Sequence, residues 1–383
     1  MVETALENVA PDVRPARQDP SERTAVCGAI AATGLPGTLF HLDLAGLDDD
    51  EWGQLLRLAE SEHLTGVLLA GLNGQMAELQ DSRRENLIAS HRRSMTVVLL
   101  LERAMMRAVD TLASGGIEVR VLKGSAVARL DYPNPSQRAF GDVDLMVRPE
   151  YFDAAVTALT AAGYERSGES ISRLYDRRFG KGATMVAHDG TQVDLHRTFV
   201  MGRFGLTVDL DEAWAGPEPF VVAGTTLQAL SAEGRLLHAA YHAVLGGWPP
   251  RFVPYRDVAE MVLYGRWDDV RLRRMCRHWR ADAVLATAVR EAWELLGLED
   301  STALSTWAQQ YAVRARDRRV IALHRSADSS YSARQLAALG ALPWRHRWSF
   351  ARALVLPSRQ FLRSRGTTLP AHITHSLRRG LGR

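Results

Sequence analysis

Three acids carry the first chemical signal in this chain: Asp142, Asp144 and Asp194. Asp142-Val143-Asp144 lies in a β-prone run, Asp142 to Val147. Alternation on a strand puts both carboxylates on one face and turns Val143 and Leu145 to the other. Two like charges side by side need a cation. Hard oxygen ligands at this spacing suit Mg²⁺, which takes one or two carboxylates together with substrate phosphates. Asp194 lies in Gln192-Val193-Asp194-Leu195-His196, a strand that can pair beside the first. A third carboxylate there can bridge a metal and take a proton from an attacking hydroxyl. His196 is placed to order Asp194 or to touch an acceptor.

An Asp-x-Asp pair alone is common on solvated strands, and the residues upstream give it weight. Leu122-Lys123-Gly124-Ser125 precedes Asp142 at a strand-to-helix junction. Backbone amides at a helix start, a glycine allowing close approach and a hydroxyl form a phosphate cradle. Lys123 adds a point charge for a triphosphate. Arg138, four residues before Asp142, can hold a phosphate or pair with a nearby acid. Of the 47 basic residues only two are lysines, Lys123 and Lys181, and each precedes a glycine. In so arginine-biased a chain, a lysine marks a place where a compact ammonium is needed and a planar guanidinium does not fit. Lys181 precedes a β-hairpin and can reach the same phosphates.

The elements that must position these groups follow from periodicity. Residues 1–38 are rich in Pro, Gly and Ala and read as a loose leader. Residues 39–114 read as a helical unit. It opens on Asp48-Asp49-Asp50-Glu51, favourable at a helix N-terminus, and ends at Gly115-Gly116. Residues 115–225 read as a small α+β core. Ile117, Val119 and Val121 alternate with polar residues, and a short helix follows Gly124-Ser125. A further helix opens at Pro149, and His188-Asp189-Gly190 turns a hairpin between 184–187 and 191–195. Residues 226–328 read as helical again, with Leu227, Leu230, Leu236, Leu237, Ala240 and Val244 forming a stripe. Runs over 256–264 and 267–298 continue it.

Residues 329–383 form a distinct electrostatic segment. The last acid is Asp328, and ten arginines follow from Arg334 onward, so a net charge of +3 leaves −7 for the rest of the chain. Interleaved Trp344, Trp348, Phe350, Leu354, Leu356, Phe361 and Leu362 suit three roles. The tail can fold back on the acidic body, coat an anionic membrane or contact nucleic acid. Folding back is favoured, because so many large apolar residues usually find a core.

Other chemistries find little support. Two distant cysteines, Cys27 and Cys276, exclude a disulfide framework or a cysteine zinc site and fit a reducing compartment. His238 and His242 have zinc spacing on a helix but no obvious third ligand, so packing is the better reading. Walker, dinucleotide-binding, serine-nucleophile and kinase signatures are missing. No stretch is apolar enough to span a bilayer. The first residues, Met1-Val2-Glu3-Thr4, do not start a signal peptide, and a cytoplasmic place is expected.

The succession Val121-Leu122-Lys123-Gly124, Tyr132-Pro133, Arg138 and Gly141-Asp142-Val143-Asp144-Leu145-Met146-Val147 resembles an uncharacterised bacterial nucleotidyltransferase family. That family falls within the DNA polymerase beta-like nucleotidyltransferase superfamily. Val193-Asp194-Leu195-His196 resembles its third motif, and Arg256-Asp257-Val258-Ala259 a C-terminal helical motif. The likeness spans roughly residues 45–300. It implies an α+β fold with a small mixed, palm-like sheet flanked by helical units. It further implies that Gly124 and Ser125 match the glycine-serine motif, Asp142 and Asp144 the metal-binding pair, and Asp194 the third acid. Two Mg²⁺ ions, a nucleoside triphosphate and an acceptor of unstated kind are the expected partners. The leading reading is nucleotidyl transfer to a hydroxyl with pyrophosphate release. The alternatives are a non-catalytic nucleotide- or nucleic-acid-binding regulator that keeps the fold, or a transferase tailoring a peptide or natural product.

Overall fold

A computed structural model describes residues 20–325 apart from 43, 45, 77, 169–171, 247–250 and 300–301. Beyond these it describes 342, 344–364, 366–371 and 373–374. One mixed sheet organises the chain. Its strands are β1 (Val119–Val121), β2 (Val143–Val147), β3 (Glu165–Ser167), β4 (Gly182–Val186), β5 (Gln192–His196), β6 (Glu218–Val222) and β7 (Thr225–Ala229). Their spatial order is β3-β4-β5-β2-β1-β7-β6. β2 runs antiparallel to β1 and parallel to β5, and this second pairing sets Asp144 opposite Asp194.

All five residues of β2 are buried, as a central strand covered on both faces requires. Alternation splits them. Val143, Leu145 and Val147 join a core with the long helix α4 (Asp81–Ser114) and with α6 (Phe152–Ala161), whereas Met146 joins a second core on the opposite face. That second core is built by α1 (Pro20–Ala32), α2 (Asp49–Ser61) and α3 (Thr65–Gly71) with the C-terminal helices. These are α10 (Ala232–Leu245), α11 (Phe252–Tyr264), α12 (Asp269–Trp279) and α13 (Asp282–Leu295), followed by α14 (Ala303–Gln310) and α15 (Ala315–Arg325). The short helices α5 (Ser125–Leu130), α7 (Arg173–Arg178), α8 (Gly202–Gly205) and α9 (Leu210–Trp214) connect the strands. Among the described residues no helix is long and apolar enough to cross a membrane.

The acidic helix start is as read. Asp48 caps α2, its carboxylate accepting from the Glu51 amide at 2.9 Å while the Glu51 carboxylate accepts from the Asp48 amide. The hairpin also forms, with Ala187 and Thr191 bonded across the turn.

Three expectations differ. Within the presumed leader, residues 20–32 form α1, whose Val26, Cys27 and Ile30 are buried against the helical core. Residues 1–19 lie outside the described set. The stretch after Thr226 does not begin as helix. β6 and β7 form a hairpin, and the two turn residues, Ala223 and Gly224, both have positive φ (45° and 82°), as a tight two-residue turn demands. Leu227 therefore faces a core from a strand, and the sheet runs on to Ala229. The run from 267 to 298 is two helices, broken where Arg280 turns left-handed at φ 57°.

One described helix of the tail folds back on the body. A helix spanning Trp344–Val355 buries Phe350 and Ala353 with Leu342 against Tyr175 and Phe179. The Phe350 ring meets Phe179 edge to face at 4.9 Å. Leu354 lies outside the described side chains. Truncation of such a buried ring typically costs about 3–5 kcal/mol. Phe350→Ala is therefore expected to speed amide exchange across 344–353 while the central strands keep theirs. Unchanged protection in that helix would show that it is held by something else.

Candidate functional site

Lys123 lies at the centre of the acid cluster. The ladder continues past β1 through a bond from the Leu122 amide to the Asp144 carbonyl, 3.1 Å, which brings the next side chain over β2. The Lys123 ammonium then donates to both Asp142 oxygens, at 3.1 and 3.0 Å, and lies 2.9 Å from Asp144 Oδ2. Gly124 follows at φ 57°, and a Cβ there would stand 3.2 Å from the Phe140 ring. Only glycine allows the chain to turn this sharply into α5.

Burial tends to discharge Lys123, but Asp144 and Asp142 outweigh it and hold its pKa above the ordinary lysine value. Burial likewise opposes the Asp144 charge, yet Lys123, His196 and Lys181 keep its carboxyl well below the usual range. His196 shows the opposite outcome: burial and the Lys181 charge lower its pKa despite Asp144 and Asp194. Its neutral ring, with Nε2 2.8 Å from Asp144 Oδ1, donates to that carboxylate. His196 therefore orders Asp144, not Asp194. Asp194 is held from the other side, where Thr184 on β4 donates to its Oδ1 at 2.5 Å.

One oxygen or nitrogen from each of Asp144, Asp194 and His196 lies within 4.8 Å of the others, a spacing suited to a metal ion. Two buried atoms here lack a hydrogen-bond partner: Asp144 Oδ2, which the Lys123 ammonium approaches to 2.9 Å as an ion pair, and His196 Nδ1. The two carboxylates offer the oxygen donors that a hard cation takes, whereas the His196 nitrogen is a softer donor and is already used to hold Asp144. Asp142 is the open edge of the cluster, its side chain 40% exposed against 1% for Asp144. Lys181 is half-buried at the start of β4. Its charge reaches Asp144 and His196, and its ammonium forms no hydrogen bond among the described residues.

Two residues read as nucleotide contacts are engaged elsewhere. The Ser125 hydroxyl donates to Glu102 at 2.7 Å and accepts from Arg129 at 2.7 Å, which fixes α5 to α4. Arg138 grips both Asp257 oxygens, at 3.1 and 2.7 Å, and Tyr132 donates to the same carboxylate at 2.8 Å. This buried triad ties the loop before β2 to α11. His238 packs edge to face on Phe199, and burial keeps it and His242 neutral. Two clefts of about 460 and 480 Å³ lie over α13 and its neighbours, beside Arg290 and Glu291, and the acids line neither.

Nothing in the sequence marks His63, yet it borders the site. It joins α2 to α3 at φ 58°, a conformation uncommon for a side chain with a Cβ. Its Nε2 would lie 3.1 Å from a Cβ on Gly141, next to Asp142. Burial, with Arg138 and Arg251, lowers its pKa against the pull of Asp142. Only tertiary packing brings this turn to the acids.

The family model of an uncharacterised nucleotidyltransferase matches residues 48–297, well over half of the chain. The chain belongs to this nucleotidyltransferase family. The match takes in β1 to β7, the acid cluster and α11. No curated protein matches it. Among solved structures, an antigenic nucleotidyltransferase-like protein from Paracoccidioides brasiliensis aligns at 15% identity and a TM-score of 0.31. That alignment covers 56% of this nucleotidyltransferase-family chain and 96% of the fungal one.

Two outcomes follow from these contacts. Asp257→Ala leaves the Arg138 charge buried and unpaired, which should lower unfolding free energy by about 3–5 kcal/mol in urea titrations. An undiminished midpoint would mean the pair is dispensable. His63→Gly removes positive-φ strain and should stabilise the fold by up to about 1 kcal/mol. A loss of stability would show that ring packing on Gly141 outweighs the strain.

Proposed function

We propose that the chain is a Mg²⁺-dependent nucleotidyltransferase acting on a hydroxyl of a small molecule, peptide or protein. The observation that carries this reading is the pairing of Asp144 and Asp194 on two adjacent parallel strands, with Asp142 just ahead of the first strand and one lysine in contact with both Asp142 and Asp144. We further infer that β1, β2 and β5 correspond to the palm of the DNA polymerase beta-like superfamily.

Asp142, Asp144 and Asp194 would hold the two magnesium ions expected of that superfamily, with His196 fixing the Asp144 carboxylate. Bound there, magnesium supplies positive charge to the triphosphate and lowers the pKa of the attacking hydroxyl. Asp194 takes the hydroxyl proton on Oδ2, because Thr184 occupies Oδ1. The acceptor oxygen then bonds to the α-phosphorus as the bond to the bridging oxygen breaks and pyrophosphate leaves.

Lys123 has two positions in this scheme. Between Asp142 and Asp144 it is the resident cation. When a triphosphate enters, the ammonium moves to the β- and γ-phosphate oxygens, and Lys181 approaches from β4. Of the glycine-serine pair, the backbone at Gly124 remains for the phosphates, since the Ser125 hydroxyl is engaged by Glu102 and Arg129.

The test uses a labelled nucleoside triphosphate, Mg²⁺ and host extract. Label should pass to a defined acceptor with wild type, and Asp144→Asn or Asp194→Asn should reduce transfer at least ~100-fold. Undiminished labelling by either variant would refute the metal assignment. A second readout needs no acceptor. Lys123→Met removes the resident cation, so Mn²⁺ binding followed by electron paramagnetic resonance should tighten by about tenfold without nucleotide. Equal or weaker Mn²⁺ binding would show that the lysine does not compete for the acids.

A further inference from the structure

The tail helix Trp344–Val355 has two faces of different chemistry. The inner face is buried: Phe350 and Ala353 pack against Tyr175 and Phe179, and Ser172 donates to the Ala353 carbonyl at 3.1 Å. On the outer face Trp344 and Trp348 are 81% and 86% exposed. Their spacing of one helical turn places the two indoles side by side. Arg352 extends the same stripe by another turn, Arg345 flanks it, and Leu356 follows at 51% exposure. Arg359 and Arg363 are exposed on the next short helix, Arg359–Ser364. Among the described residues, Arg345, Arg352, Arg359 and Arg363 form no ion pair with a carboxylate. The chain from Arg334 onward holds ten arginines and no acid.

Two exposed indoles amid unpaired arginines are a poor match for water alone. Each indole is a large apolar ring with one polar N–H, suited to a boundary that is apolar on one side and wet on the other. The arginines need anions, and the −7 body does not supply them to this face. We propose that the outer face of this helix seats in the headgroup layer of an anionic lipid surface. The helix lies in the plane of the surface, with Trp344 and Trp348 reaching to the acyl boundary and Arg345 and Arg352 on lipid phosphates.

Lipid is favoured over nucleic acid by shape and composition. Strand-binding sites line a charged groove with stacking rings, whereas these indoles stand on the convex side of a docked helix. Leu356 adds aliphatic surface, which serves an acyl boundary and not a base. The inner face is already satisfied by Tyr175 and Phe179, so the helix presents its outer face preformed. Only two rings insert, so attachment should be reversible and should depend on lipid charge and on salt.

The experiment is flotation of the full chain with vesicles of phosphatidylcholine alone or of phosphatidylcholine containing phosphatidylglycerol. The expected result is binding to the anionic vesicles only, falling as salt rises. Trp344→Ser with Trp348→Ser should lose at least about tenfold in vesicle affinity with the unfolding transition unchanged. Should that pair disturb folding, Arg345→Gln with Arg352→Gln at exposed positions gives the same readout through a smaller salt dependence. Absence of binding to anionic vesicles overturns the proposal, as does equal binding by variants and wild type. Capture by single-stranded RNA in preference to the anionic vesicles overturns it too.

Discussion

The ion cluster of Lys123, Asp142 and Asp144 is the constraint on which the rest of the site depends. Asp144, buried on β2, and Asp142, part-exposed just before that strand, repel each other unless a cation lies between them. The chain answers with an ammonium in contact with both. This requires β1 to end beside β2 and Lys123, two residues on, to lean over it. It requires Gly124 to turn the backbone away at once, where any Cβ would press on Phe140. The same charge balance leaves Asp144 ionised although it is almost fully buried. A lysine suits the position because one compact ammonium reaches both acids at once, where a planar guanidinium is bulkier.

Around this centre, buried polar links fix the sheet in the helical shell. The parallel register of β2 and β5 sets Asp144 opposite Asp194, and His196, one alternate position further along β5, reaches back to Asp144. Tyr132 and Arg138 converge on Asp257 and join the loop before β2 to α11. Ser125, Arg129 and Glu102 join α5 to α4 in the same manner. Each link is a charge or hydroxyl whose partner lies on another element, so loss of one exposes an unsatisfied buried group.

The two ends of the chain contribute differently. α1 completes the helical core, and Arg256 caps its C-terminal end through the carbonyls of Ala31 and Thr33. The tail helix docks on Tyr175 and Phe179, just ahead of Lys181 and β4. Its inner face thus belongs to the fold, and its outer face keeps an arginine and tryptophan character that the body does not compensate.

The sequence by itself determined the elements whose signals are local. Alternation located β1, β2 and β5, the Asp-Gly turn located the β4–β5 hairpin, and Asp48 with Glu51 opened α2. The rarity of lysine pointed to Lys123; the strand expected from Asp142 starts only at Val143, and it is the Lys123 ammonium that brings Asp142 and Asp144 together. Where local signals competed, the reading failed: Leu227 and Leu230 mimic helical spacing, and only the positive φ of Ala223 and Gly224 reveals the β6–β7 hairpin. Tertiary structure alone decided partners. Ser125 and Arg138 had phosphate-binding chemistry in sequence, but Glu102 and Asp257 claim them from elements 23 and 119 residues away. His196 went to Asp144 on the neighbouring strand and not to its chain neighbour Asp194, which Thr184 holds from the other side. His63 reached the acids only through the packing of α2 and α3. A side chain's type limits the bonds it can form, but which bond forms is set by the groups that folding brings within about 3 Å of it.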